Sequence, residues 1–538
     1  MKKMTASAIS TFKYKILFAG MINILVVSAM LGIQGAGYLG ISLAVFILFF
    51  SFHSLWLSDM VAKYIRGRNA RNQYKNSLNF FKGALLYAVI TGAFFCAVVI
   101  LFGNQLGSFL IRDIHIGICL MVIAVLLFVQ GISEAVNGYL QGMNFYPPVK
   151  IFYLVRQITS FAGSIAGMKF LGEYGAKVAN LKHNEAVTSV YGAFGALLGM
   201  LAGSMTGLIL LLVFCLMLHG EIHDMRRKDN ARYQESALHG FRVILSLRLM
   251  HGIRYIMLFS PLPLNYILYV RLCKSEGDSA SWIRTGGFLF GEAVPVMIIL
   301  LLCFVLLNHK NYRQLAAHWK NEAYSQFREK VFAMLLSALT LALPVCAAVS
   351  ALAQPILKCL TKGAVKEGNT IMMYAAIAAF LLVLETISFR LMELWNETLY
   401  LYLTVVVSFG VQTVFAVITF KTTELGMLGI LLGIIVQATL FTVLFFVKFS
   451  KRLRFTGNQI KKLVMSLITS LAGALIILLI YQIIGDRLSA GVATAVSMIP
   501  GFLLYLAAVT LLRIVSDNEA EYMPGGELFL WLNGLLHR

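Results

Sequence analysis

Long apolar runs alternate along the whole chain with short polar interruptions, most of them basic. A run of about 18 or more apolar residues suffices to cross a ~30 Å hydrocarbon core as one helix. The pattern predicts about fourteen membrane spans, the first six at 14–34, 38–58, 82–103, 115–138, 149–170 and 189–218. After a polar interruption come 243–263, 286–307, 331–352, 371–390, 399–420, 426–447, 463–484 and 491–512. The pattern blurs in 261–285, where Pro261, Pro263, Arg271 and Arg284 obscure the exit from span 7. No polar segment is long enough for a large soluble domain, so the expected fold class is an all-α, polytopic membrane protein.

Composition agrees with that pattern. Of 538 residues 59% are hydrophobic and 13% charged, with a mean hydropathy of +0.80, whereas soluble domains are about one quarter charged. The charges then orient the bundle. KYIRGRNARNQYKN follows span 2, MRRKDNAR span 6, HKNYRQLAAHWKNEAYSQFREK span 8 and KFSKRLRF span 12. Basic residues in short loops stay on the cytoplasmic side, and all four runs fall at even-numbered connections, so both termini are expected in the cytoplasm. The net charge of +21 then needs no nucleic-acid partner, because retention of cations beside anionic headgroups accounts for it. The N-terminal MKKMTASAISTFKYK lacks a small-residue cleavage site and reads as the lead of a retained first helix. The seven cysteines show no paired spacing, so neither a disulfide framework nor a metal site is expected.

The chain repeats itself. YGAFGALLG (191–199) and LGMLGILLG (425–433) both carry G-x-x-G-x-L-L-G, 234 positions apart. A weaker echo pairs Glu134 with Glu385 and Leu140 with Leu391, 251 apart. The outer loop GEYGAKVANLKHNEAVTS after span 5, against KTTEL after span 11, accounts for the difference. The unit is six helices, an even number, so the two copies run in parallel about an axis along the membrane normal. The expected organisation is an N-terminal lobe at 1–225, a C-terminal lobe at 226–448, and two further helices with a cytoplasmic tail at 449–538. Glycines spaced three and four apart line one helix face and admit a neighbouring backbone.

Three stretches carry a family resemblance: GAGYLGISLAVFILFFSFHSLWLSDMVAKYIRGRNARNQYKNS at span 2, LQGMNFYPPVKIFYLVRQI after span 4, and YGAFGALLGMLAG in span 6. They resemble bacterial oligosaccharide and polysaccharide flippases, the sporulation-type branch of the multidrug/oligosaccharidyl-lipid/polysaccharide exporter superfamily. The resemblance spans nearly the whole chain, through diffuse Gly, Pro and apolar positions. It implies two six-helix lobes plus two C-terminal helices in the bacterial plasma membrane, moving lipid-linked glycans by alternating access. Glycan-assembly enzymes are potential partners, and no cofactor is implied. The lipid II flippases of this superfamily carry arginines in their first helices, whereas ILFAGMINILVVSAMLGI here carries none.

A charge at the centre of a span costs roughly 2.5 to 3.5 kcal/mol, so each one should face a cavity or a partner. Span 7 reads RVILSLRLMHGIRYIML and places Arg248, His251 and Arg254 on one face. Arg156 and Gln157 in span 5, Glu134 and Asn137 in span 4, Glu292 in span 8 and Glu385 in span 10 complete the set. Arginines, with Gln157 and Asn137 nearby, suit a pyrophosphate and its sugars, because the guanidinium fork hydrogen-bonds such oxygens in pairs. The competing account is that Arg156 and Arg248 snorkel to headgroups. Glu134 and Glu385 suit matched struts or a coupling role. Glu292, in GGFLFGEAVPV, suits a coupling group beside a helix broken at Pro295.

HGEIH at 219–223, in an expected loop, lacks the H-E-x-x-H order of zinc proteases, and no nucleotide-binding glycine loop occurs. The expected function is therefore a non-enzymatic flippase or exporter of lipid-linked oligosaccharide or polysaccharide precursors. Two alternatives remain: a multidrug or cation exporter of the same superfamily, and a membrane-embedded glycan polymerase or glycosyltransferase.

Overall fold

The computed structural model describes residues 6–273, 279–360, 368–423, 425–485 and 487–536. Among these residues every regular element is helical and no strand occurs. Eleven helices are long and apolar enough to cross a membrane, or twelve if the pair His251–Phe259 and Pro261–Leu272, bent by 59°, is one span. Besides that bent pair, which is the expected span 7, two features account for the difference from fourteen. Spans 1 and 2 lie in a single run, Ile9–Asn69, and span 5 is a helix whose apolar character is diluted by Arg156 and Gln157.

That first run holds α1 (Ala6–His53) and α2 (Leu57–Asn69). Gly32 kinks α1 at φ 70° and ψ 170°, a conformation that side chains disfavour and glycine accepts. Ser28 Oγ and Ala36 Cβ lie 3.0 and 3.1 Å from the place a Cβ on Gly291 would occupy. On an unbroken helix residues eight apart are separated by about 12 Å, so the chain bends sharply at Gly32.

One compact unit runs from Met1 to Gly291. It adds α3 (Tyr74–Ile111), α4 (Gly117–Gly142), α5 (Tyr146–Lys182), α6 (Ala186–Met217), α7 (His219–Arg227), α8 (Ala237–Phe259), α9 (Pro261–Leu272) and α10 (Ser279–Phe288). The packing boundary thus falls at Gly291, well beyond the 225/226 division expected from the repeat. The polar stretch expected as an outer loop is helical: α5 and α6 continue through it and meet at a turn over 183–185, where His183 has φ 49°. At 1.5 Å per residue the 37 residues of α5 span about 55 Å, well beyond a ~30 Å core. HGEIH, expected in a loop, lies on α7.

Close helix contacts define this unit. Gly163 and Gly167 of α5 meet Gly199 and Gly195 of α6 backbone to backbone, and Ser164 Oγ donates to the Ala196 carbonyl at 2.9 Å. Gly37 and Gly40 of α1 admit Ile283 and Phe290, and Gly83 of α3 admits the first turn of α8. Such seams let van der Waals contact hold helices together where lipid offers no hydrophobic drive. Arg271, at the end of α9, donates to the carbonyls of Ser108 and Phe109 in the last turn of α3, where Ser108 O also accepts from Arg112 N at 3.1 Å.

The second unit runs from Glu292 to Arg538. It contains α11 (Val294–Leu307), α12 (His309–Lys320), α13 (Tyr324–Ser337), α14 (Leu343–Ala351), α15 (Ala353–Leu360), α16 (Gly368–Leu394), α17 (Thr398–Thr422) and α18 (Leu428–Leu453). It ends with α19 (Gly457–Ile484), α20 (Ala490–Leu511), α21 (Asp517–Ala520) and α22 (Gly526–Leu536). Two wide π-helical turns occur, Leu289–Ala293 and Ala338–Ala342, just ahead of Pro295 and Pro344. A proline has no N–H for the preceding turn, and the π turn relieves that loss without ending the helix. The expected break beside Glu292 is thus a π turn in a continuing helix. At the tail, Ile514, Val515, Met523 and Phe529 pack on Phe332, Leu336 and Tyr505, and Lys462 pairs with Glu519 at 2.6 Å.

The repeat is visible in turn geometry. Asn72 and Glu322 adopt left-handed φ of 54° and 57° ahead of α3 and α13, and Asn144 and Asn396 do so at 65° and 56° ahead of α5 and α17. The bonds around the second pair match one for one: Phe145 N to Leu140 O and Glu397 N to Met392 O, then Met143 N to Tyr139 O and Trp395 N to Leu391 O. The correspondences around the second pair are offset by 252, one more than the sequence echo at Glu134 and Glu385, whereas Asn72 and Glu322 lie 250 apart. Glu385 therefore sits one residue, about 100° of helical rotation, away from the position equivalent to Glu134.

Candidate functional site

The break between α1 and α2 organises the polar residues of the first unit. Ser54 and Leu55 both donate to the Phe50 carbonyl at 2.9 Å, and the chain re-enters a helix at Leu57. The wide turn presents Phe52, His53, Trp56, Ser58 and Asp59 in different directions, so their contacts reach α8, α3, α4 and the start of α1.

Phe52 lies under the Arg248 guanidinium, 4.3 Å from its ring centre, with Phe95 and Tyr87 at 5.8 and 6.0 Å. The Nε of Arg248 is buried without a hydrogen-bond partner, and no ion pair to Arg248 occurs among the described residues. Aromatic faces thus supply the attraction that a carboxylate would otherwise provide, and the polar edge stays available. Gly252, four residues on, allows α8 this close, since a Cβ there would stand 3.0 Å from the Phe52 carbonyl.

His53 is fully buried, and its Nε2 lies 2.8 Å from Thr91 Oγ1. That hydroxyl already donates to the Tyr87 carbonyl at 2.6 Å; it therefore accepts from His53, which assigns the proton to Nε2. Trp56 stacks on His251, ring centres 6.0 Å apart and planes at 27°. Arg254, further along α8, lies over the Tyr255 ring at 5.3 Å.

Ser58 opens a second branch. Gln141 donates to Ser58 Oγ at 3.1 Å and to Asn137 Oδ1 at 2.9 Å, and Asn137 donates to the Tyr153 hydroxyl at 2.6 Å. Asp59 accepts from Lys13 of α1 at 2.7 Å. Gln130 donates to Glu134 at 2.9 Å, and Lys13 and Arg156 both act electrostatically on that carboxylate. Arg156 lies over the rings of Phe152 and Tyr153 at 5.4 and 5.5 Å, while Gln157 faces Gly20 of α1.

The structure thus gathers Asn137, Glu134 and Arg156 into one network, and joins Arg248 and His251 to α1 and α2. It leaves Glu292 and Glu385 in the second unit. Glu292 is buried with Oε2 unpartnered, and no opposite charge acts on buried Glu385 among the described residues. Sequence reasoning missed Lys13, His53, Trp56, Tyr153 and the role of Asp59. The signal lies in SFHSLWLSD, a polar and aromatic cluster closing an apolar span, and in Lys13 of the basic N-terminal lead.

No protein-family model and no curated protein sequence matches the chain. Solved structures do. An inward-facing multidrug resistance MATE family transporter of the MOP superfamily aligns at TM-score 0.61 and 13% identity, over 81% of this chain and 94% of that one. The lipid II flippase MurJ, in an inward closed conformation, aligns at 0.60 and 11%, over 92% and 98%. A MOP superfamily transporter from Pyrococcus furiosus, noted for reverse polarity of its binding pocket, aligns at 0.56 and 13%, over 83% and 94%. The chain has the all-helical fold of MOP-superfamily membrane transporters.

Proposed function

We propose that this protein is a flippase of the bacterial plasma membrane that carries a lipid-linked oligosaccharide or polysaccharide precursor outward by alternating access. The observation that carries this reading is Arg248, a span arginine held by three aromatic rings with no ion pair among the described residues. A cation desolvated in this way costs free energy that a bound anion recovers, and a diphosphate matches the guanidinium fork. Arg254 lies six residues further along α8 and meets the same diphosphate, while Arg156 and Gln157 face its sugars and Asn137, fully buried, holds the Tyr153 hydroxyl beside Arg156. The neighbours in structure are transporters and flippases, which supports transport without catalysis.

Translocation of glycan-lipid in vesicles tests it, with expression matched between variants. Arg248→Ala and Arg254→Ala are each expected to lower transport roughly tenfold to a hundredfold, the worth of a charge-assisted contact of about 1.5 to 3 kcal/mol. Lysine keeps the charge without the fork and restores part of the activity. Wild-type transport by both alanine variants refutes the assignment. For orientation, a cysteine replacing Lys177 is expected to label from outside, and cysteines replacing Arg227 and Lys451 only from inside.

A cation or drug exporter is the second reading, favoured by the buried, unpartnered Glu292 Oε2. Drug accumulation in cells separates the two: Glu292→Gln abolishes drug efflux if this reading holds and leaves glycan transport as the only measurable activity if it does not.

A further inference from the structure

A cavity of about 340 Å³ opens at the C-terminal end of α2, apart from the residues discussed above. Lys63, Tyr64, Arg68, Arg71, Gln73 and Glu235 line it. Water takes about 30 Å³ per molecule in the liquid, so the space admits a phosphate or diphosphate group with part of its hydration. Its walls carry three cations against one carboxylate.

The ordinary account of basic residues here is retention beside lipid headgroups, and it explains their number. It does not explain how Arg68 is held. Its guanidinium lies over Phe80 at 4.5 Å and Tyr64 at 5.8 Å, and those two rings stack on each other at 5.2 Å. Nε and Nη2 both donate to Glu235 Oε2, at 3.1 and 2.5 Å, and the Arg68 side chain is only 13% exposed. This is a guanidinium held in place by two rings, with Nε and Nη2 converging on one acidic oxygen, a position that a phosphate oxygen matches in charge and hydrogen-bonding capacity.

Glu235 is held independently of that ion pair. The segment that bears it, 229–235, is stitched to the α2–α3 turn by its backbone: Asn230 N to Asn72 O at 3.0 Å, Asn76 Nδ2 to Tyr233 O at 2.9 Å, Glu235 N to Asn76 Oδ1 at 2.9 Å and Asn79 Nδ2 to Glu235 O at 2.8 Å. Asp229 also accepts from Lys75 N at 2.6 Å. The carboxylate can therefore be displaced or replaced while the segment stays put.

We propose that this cavity is a binding site for a phosphate-bearing anion, with Lys63, Arg68 and Arg71 as its ligands and Glu235 as a built-in competitor for the Arg68 fork. The ligand is either a soluble phosphate compound or an anionic phospholipid headgroup. The site stands whether or not the transport reading does.

The full-length protein in phosphatidylcholine nanodiscs is titrated with inorganic pyrophosphate by calorimetry, and in nanodiscs doped with phosphatidic acid its retained lipid is measured by native mass spectrometry. Glu235→Gln is expected to tighten binding roughly tenfold, because it removes the competing charge. A Lys63→Ala/Arg71→Ala double variant is expected to weaken it by a similar factor. Pyrophosphate binding that follows this pattern identifies a soluble ligand. Phosphatidic acid retention that follows it, with no pyrophosphate binding, identifies a headgroup. Misfolding does not mimic a gain of affinity, so the Glu235→Gln arm holds even if the double variant is unstable. Binding of neither probe, or binding that Glu235→Gln leaves unchanged or weakens, overturns the proposal.

Discussion

The α5–α6 hairpin and the α17–α18 hairpin carry the same G-x-x-G-x-L-L-G spacing and put it to different uses. In the first, Gly195 and Gly199 meet Gly167 and Gly163, so the two backbones touch directly at these positions. In the second, Gly426 lies before the helix in a turn with φ 53°, and Gly429 makes room for the rings and methyls of Phe420 and Thr419. Trp395, Phe445 and Phe449 then form an aromatic stack, with ring centres 4.8 to 5.9 Å apart. Spaced glycines cut a groove, and the partner helix decides what fills it. The polar content differs as well. Glu134 has Lys13 and Arg156 acting on it, whereas Glu385 lies in an uncharged setting among the described residues. Both hairpins hold rings and charges, but in the second the charges sit at the rim, where Glu397 pairs with Lys448 and Arg452, whereas beside the first Glu134 of α4 is buried within its span.

Substitutions that treat the two hairpins alike can break this comparison. The largest effect is expected for Gly199→Leu, which drives a side chain into the backbone at Gly163 and Ser164. Overpacking against a backbone that cannot yield costs about 3 kcal/mol and should remove most folded protein in a fluorescence size-exclusion assay. Gly429→Leu presses on the Phe420 ring edge 2.6 Å away, which can turn aside, so a loss of about 1 kcal/mol is expected. Equal losses at both positions contradict the backbone seam. Next come Arg156 and its counterpart Ser408, by the turn offset of 252. Arg156→Ala is expected to reduce glycan-lipid transport about tenfold, while Ser408→Ala only removes a hydroxyl bonded within its own helix, to Thr404 O at 2.7 Å, and should transport normally.

Smaller and opposite shifts are expected for the two carboxylates. Glu134→Gln removes the carboxylate on which Lys13 and Arg156 act and lowers stability by about 1 kcal/mol, while Glu385→Gln removes a buried ionisable group with no cation acting on it and raises stability by a similar amount. Melting in detergent reads both, and a shared direction would restore their equivalence. The smallest effect is Gly410→Ala in α17, where nothing lies within 4 Å of the new methyl. A gain of about 0.5 kcal/mol is expected from helix propensity alone.

The spans were legible because hydropathy is local: eighteen neighbouring residues decide each one. The packing partners were not, because each is set by a distant helix. Nothing within span 7 says that Arg248 rests on Phe52, and nothing near Lys13 points to Asp59. The stretch GEYGAKVANLKHNEAVTS was polar and so read as loop, yet a helix that leaves the membrane needs only water on its exposed faces, and α5 and α6 continue through it. Glu134 and Glu385 were matched by residue type at 251, whereas the turns at Asn144 and Asn396 register the repeat at 252. One residue suffices to turn a side chain toward a different neighbour.

The first unit closes only at Gly291, and that fixes an order of events during synthesis. When the ribosome has finished α6, the faces of α1 at Gly37 and Gly40 and of α3 at Gly83 still lack the helices that cover them. Translation at 5 to 20 residues per second leaves roughly 4 to 15 seconds before α10 is complete. During that interval the nascent chain sits in the bilayer with two open grooves, exposed to any insertion chaperone or membrane protease that recognises unfilled helix surfaces. A chain terminated within the segment 228–236 would keep both grooves uncovered.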